Sequence, residues 1–235
     1  MKKLLGCFIT TILILFLVIS IAPTTAKAVP IWGSDASGEL TGSRTSPSSS
    51  GIDATGPWDG GYFEVTWSIS PYDSGYWKYE YTITSSGTDP KAISHFILEV
   101  SQGGEFYIHP DSDTVDGPQV WSLSPGNPDM PNDIYGVKFD FGDNPITYTL
   151  ITDRDPVYGV FYAKDGTFGP AGAKEDVVAW SNALNFSDYK TTESLTVTDF
   201  IVRPNGISVP EPATMLLFGT GILCLGVFGR KRFKG

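Results

Sequence analysis

The chain predicts an all-β fold: an antiparallel β-sandwich, jelly-roll-like, over residues 61–208. Three observations predict it. Apolar residues recur at every second position in run after run, as in Phe63, Val65, Trp67 and Ile69, the period of a strand with one buried face. The runs are rich in aromatic and β-branched residues, which suit a pleated, half-buried surface. Asp-Pro, Asp-Gly, Pro-Gly and Gly-Asn-Pro separate them and mark turns. No segment between the two ends sustains a 3.6-residue apolar period, and no long internal repeat is present.

The elements follow in order. YFEVTWSIS (62–70) and YWKYEYTITSS (76–86) alternate on either side of PYDSG, with Trp77, Tyr79, Tyr81 and Ile83 on one face of the second. Two alternating runs around a short Gly-containing turn read as a hairpin. AISHFILEVS puts Ala92, Ser94, Phe96, Leu98 and Val100 on one face, and EFYI (105–108) reads as a short strand. IYGVKFDF groups Tyr135, Val137, Phe139 and Phe141. PITYTLIT, PVYGVFYAK, DVVAWSNAL and SLTVTDFIV complete about eight to ten strands, enough for two packed sheets. DVVAWSNALNF also reads as a short helix. Ahead of them, residues 29–60 are dominated by Gly, Ser, Thr and Pro and read as a flexible lead-in.

Both ends stand apart from this domain. Residues 1–28 join a positive start, an apolar run and the small-x-small site Ala26-Lys27-Ala28, the pattern of a signal peptide cleaved after Ala28. An uncleaved anchor is the alternative. The two cysteines, Cys7 and Cys224, lie in the apolar end segments. The stretch 29–208 therefore has no disulfide, catalytic thiol or Cys-ligated metal. That stretch holds nine Lys and Arg against 25 Asp and Glu, a net charge of −16, where the whole chain carries −10. A body this acidic repels nucleic acid and anionic lipid.

The last residues read VPEPATMLLFGTGILCLGVFGRKRFKG. Two prolines make Val209, Pro210, Glu211 and Pro212 extended and stiff. Residues 213–229 carry no charge, at the lower limit for a membrane-spanning helix. Arg230, Lys231, Arg232 and Lys234 follow in the basic tail 230–235, which the positive-inside rule keeps cytoplasmic. This segment, 209–235, resembles the PEP-CTERM sorting signal of exported bacterial proteins. The resemblance implies a membrane-embedded exosortase as partner, with Pro210, Glu211 and Pro212 as recognition residues and the basic cluster as a retention signal. It also implies transient residence in the inner membrane, then the cell surface or extracellular polysaccharide matrix of a Gram-negative bacterium. It assigns no chemistry to residues 29–208.

Chemistry there is sparse. His95 and His109 have no metal-ligand spacing, and no Gly-x-Ser-x-Gly elbow is present. Glu64, Glu80, Glu99 and Glu105 lie on or near strands and are the candidates for paired-carboxylate glycan hydrolysis. Asp111, Asp113 and Asp116 suggest a weak calcium loop, but the third acid is one position late for the EF-hand pattern. They also read as a solvated acidic turn. Trp67, Trp77, Tyr79 and Tyr81 read as core, whereas Trp32, Trp58, Tyr72 and Tyr76 fall in loops or on outward positions, where rings stack on sugars. The sequence therefore predicts a non-catalytic exported adhesion or biofilm component that contacts exopolysaccharide and needs no cofactor apart from an optional calcium ion. A secreted glycan hydrolase and a purely structural surface protein are the alternatives.

Overall fold

The computed structural model describes residues 31–59, 63–86, 93–103, 105–142 and 144–205. The readings of a signal peptide, a sorting motif, a spanning segment and a basic tail lie outside them. Among the described residues no helix is long and apolar enough to cross a membrane.

Twelve strands form: β1 Thr41–Thr45, β2 Ile52–Ala54, β3 Phe63–Pro71, β4 Trp77–Ser85, β5 Ile93–Glu99, β6 Asp116–Trp121, β7 Ile134–Gly142, β8 Ile146–Thr152, β9 Pro156–Gly159, β10 Phe161–Phe168, β11 Glu175–Ser181 and β12 Ile201–Pro204. A four-stranded sheet runs β1-β3-β4-β8, and a six-stranded sheet runs β2-β11-β10-β5-β7-β6. β12 pairs with β9 in a small third sheet. Every pairing among these strands is antiparallel. Ten strands in the two main sheets exceed the eight of a jelly roll.

The alternation seen in the sequence sets which face is buried. Phe63, Val65, Trp67, Tyr79, Tyr81, Ile83 and Leu150 from the smaller sheet meet Phe96, Leu98, Val137, Phe139, Phe161 and Ala179 from the larger in one core. Tyr79 donates to the Arg154 carbonyl at 2.6 Å and Tyr81 to that of Val202 at 2.9 Å, so these buried hydroxyls are paired. β5 is buried on both faces. Its outward Ile97 joins Tyr162, Val178, Leu184, Tyr189 and Phe200 in a second cluster, because the segment after β11 folds back over the larger sheet.

Three local readings are corrected. Residues 29–60 are not merely a flexible lead-in: β1 and β2 lie there and extend one edge of each main sheet. Arg44 fastens this segment by donating to the Thr198 carbonyl at 3.1 Å, the Val197 carbonyl at 2.9 Å and Glu39 at 3.0 Å. Gly51, at φ +102°, lets the chain pass against the Thr198 carbonyl, where a Cβ would collide. EFYI forms no strand; Phe106 and Ile108 pack on the core from an irregular segment. SLTVTDFIV divides into a 3-10 turn, Val197–Asp199, and β12. DVVAWSNALNF is both things read from it, β11 and then a 3-10 turn over Asn182–Asn185. β6 was invisible to periodicity because it is an edge strand with little burial.

Candidate functional site

The β3–β4 turn and the segment before β6 build an aromatic cluster. The turn closes through Tyr72 N–H to the Tyr76 carbonyl at 3.0 Å. The second segment is tied to β8 by His109 N–H to Ile151 O and Asp113 N–H to Thr149 O, each 2.9 Å. The His109 ring lies 5.4 Å from Tyr72 and 5.5 Å from Tyr76, and Tyr76 lies 5.7 Å from Tyr107. Tyr72 and Tyr107 are each 42% exposed. The Tyr72 hydroxyl donates to Asp111 Oδ2, and that bond to a carboxylate raises its pKa above the ordinary value. The result is a platform of half-exposed rings with acidic groups at its border. Tyr107 and His109 were missed because both reach the platform through tertiary contacts.

Of the other two predicted contact rings, Trp58 is corrected. Trp58 is 1% exposed and packs 4.6 Å from Phe63 in the core. The chain brings it inward because Ser46 Oγ donates to the Trp58 carbonyl at 2.6 Å and accepts from the Phe63 N–H of β3 at 3.2 Å. Trp32 is half-buried, and its indole N–H donates to both oxygens of Glu99 at 3.0 Å. Lys190 Nζ and the Arg203 guanidinium lie 5.1 and 5.5 Å from its ring.

Glu99 itself is buried. It accepts from Tyr189 Oη and from Val160 N–H at 3.0 Å each, and Arg203 Nε lies 3.4 Å away. Burial, and then the Glu99 charge, push the Tyr189 pKa far up, so the phenol stays a donor. A Cβ at Gly159 would collide with Arg203 Nε and lie 2.7 Å from Glu99 Oε2. Arg203 Nη1 donates to Ser101 at 2.7 Å and to the Pro204 carbonyl at 2.9 Å. This constellation fastens Trp32, near the start of the described chain, to β12 at its end.

The remaining carboxylates do not converge. Glu64 and Glu80 share the outer face of the smaller sheet, opposite Thr84 and Ser68. Four positions of a strand separate them, roughly 13 Å, against the ~5–9.5 Å of glycosidase carboxylate pairs. Glu99 is on the other sheet and Glu105 on a loop. The three acids of the calcium reading each have a partner of their own. Asp111 takes the Tyr72 hydroxyl, Asp113 accepts from Thr149 N–H at 2.7 Å, and Asp116 lies 3.6 Å from Lys138. Among the described residues no three His, Cys, Asp or Glu gather to hold a metal.

His95 lies on the outer face of β5, buried. Burial first, and then Lys138 and Lys164, lower its pKa to about 4, with Asp140 and an Asn127 hydrogen bond opposing. An unfolded histidine titrates near 6.5. Between these values the unfolded chain binds the extra proton, so His95 contributes stability that is present above pH 6.5 and lost as pH falls toward 4. Wild type is expected to lose about 2 kcal/mol more than His95→Gln between pH 7 and pH 4.5. Urea unfolding at the two pH values checks this; equal losses would contradict it.

Residues 208–232 match the family model of the PEP-CTERM protein-sorting motif. This chain carries a PEP-CTERM sorting motif. The PEP-CTERM match takes in Val209–Pro212, the uncharged stretch and the basic residues Arg230–Arg232. A PEP-CTERM signal implies export, exosortase processing and a surface or extracellular location. Two residues, 206 and 207, separate the match from Asn205, the last described residue of the domain. No curated protein and no solved structure matches the chain.

Proposed function

We propose that this is a non-catalytic surface or matrix protein of a Gram-negative bacterium that adheres to extracellular polysaccharide through the Tyr72–Tyr76–Tyr107–His109 platform. The observation that carries the reading is the clustering of exposed rings from two separate segments, flanked by Asp73 and Asp111. Ring faces take the apolar face of a sugar, and carboxylates accept from its hydroxyls. The sorting motif, which implies export to the surface or the extracellular space, supports it, as does the wide spacing of Glu64 and Glu80.

The test uses the full chain in neutral detergent and the host's own exopolysaccharide, with and without calcium. Co-sedimentation without new reducing ends is expected. Removing two ring contacts with the double change Tyr72→Ala and Tyr76→Ala is expected to weaken binding about tenfold while leaving the unfolding midpoint near wild type. Release of reducing ends would replace the reading with a hydrolase. Unchanged binding by the double variant would remove the platform from it.

A further inference from the structure

A second surface has a different chemistry. The outer face of the larger sheet is covered by apolar packing at Ile97, and a groove runs over His95. Register places Lys164 on β10 and Asp140 on β7 directly opposite His95 on its two sides. The three therefore form one row across the sheet, at the floor of a groove of about 600 Å³. Exposed Val120 and Leu123 stand at its rim, 53% and 65% accessible. His95 is 7% exposed, and its Nε2 has no hydrogen-bond partner among the described residues. Such a buried polar atom is costly unless something fills the place beside it.

The charges differ in how far they are already used. Lys138 lies 3.0 Å from Asp140 and 3.6 Å from Asp116, and over the Trp121 ring at 5.0 Å. Lys164 reaches only two backbone carbonyls, Gly126 at 3.3 Å and Pro125 at 3.4 Å. It has no carboxylate partner among the described residues, in a chain of net charge −10. A single ammonium suits one carboxylate, and the unpartnered nitrogen of the neutral imidazole beside it suits a hydroxyl. Asp140 and Asp116 nearby disfavour a dianion such as phosphate, and Asp140 accepts from hydroxyls instead.

We propose that the groove over His95 is a binding site for an acidic sugar, with a uronate carboxylate seated on Lys164 and ring hydroxyls on His95 Nε2 and Asp140. The site is separate from the tyrosine platform and does not depend on it. It adds a sugar class to what the protein recognises.

His95 and His109 are the only histidines in the chain, one in the groove and one in the platform. Imidazole NMR on the full chain in neutral detergent therefore reads the two sites separately, with His109→Gln supplying the assignment. The probes are trigalacturonate, neutral trigalactose and inorganic phosphate. Trigalacturonate is expected to move the His95 signal at concentrations that leave it unmoved by the other two. Lys164→Ala is expected to weaken that response roughly tenfold with its amide spectrum otherwise native. A still His95 signal, full affinity in Lys164→Ala, or an equal response to trigalactose or phosphate would each overturn the acidic-sugar site. None of these outcomes bears on polysaccharide binding lost through Tyr72 and Tyr76, so the two proposals fail separately.

Discussion

Glu99→Ala is expected to lower the free energy of unfolding by about 3–5 kcal/mol. The carboxylate has five donors or charges around it: Trp32, Tyr189, the Val160 amide, Arg203 and, at 3.8 Å, Lys190. Removing it leaves the Arg203 guanidinium, 0% exposed, as an uncompensated buried charge. Its Nη2 already lacks a partner among the described residues, so no spare acceptor stands by. Exchanging both partners at once, Glu99→Leu with Arg203→Met, removes the charge on each side. That double variant is expected to recover much of the loss, because an ion pair replaced by apolar groups of similar volume is often neutral. Urea unfolding of wild type, Glu99→Ala, Glu99→Leu, Arg203→Met and the double variant checks the cycle. A Glu99→Ala loss under 1 kcal/mol, or additive losses, would show that the pair does not act as a unit. Amide exchange at Ile201 and Val202 should accelerate in Glu99→Ala, since β12 is held by Arg203 and by its short pairing with β9. That strand ends only a few residues before the PEP-CTERM match.

Trp58→Ala is expected to cost about 3–5 kcal/mol of stability, the range for truncating a buried aromatic side chain to alanine. The ring is 1% exposed against Phe63, which stacks 6.2 Å from Phe161 on the opposite sheet. Its loss opens a cavity where the segment carrying β1 and β2 meets the core. Polysaccharide binding, measured well below the lowered melting temperature, is expected to stay at the wild-type level. Tyr72→Ala should show the reverse, with near-native stability because the ring is 42% exposed and surface changes move stability little. Weakened binding in folded Trp58→Ala would return this tryptophan to the contact surface.

The two tryptophans show where sequence reasoning stops. Trp58 follows Gly-Pro in a stretch of small polar residues, a context that signals a loop but says nothing about the side of the loop facing the core. The decision comes from Ser46 and from β2 pairing with β11 across more than a hundred residues. Trp32 likewise looks like a free ring until Glu99, 67 positions away, takes its indole N–H. Tyr72 and Tyr76 were legible as exposed because they sit at the turn of a hairpin whose alternation fixes its own faces.

By itself the sequence determined the all-β class, the β3–β4 hairpin with its inward face, the inward faces of β5 and β7, and the sorting motif at 208–232. Each is a local property: a two-residue period, a turn, or a run of residues read in order. Tertiary structure alone decided that residues 41–54 contribute edge strands, that β6 exists, that Glu99 meets Arg203, and that Lys164, His95 and Asp140 form one row. Those outcomes depend on strand register between distant segments, and register is set by the whole set of buried faces closing together rather than by any one stretch of chain.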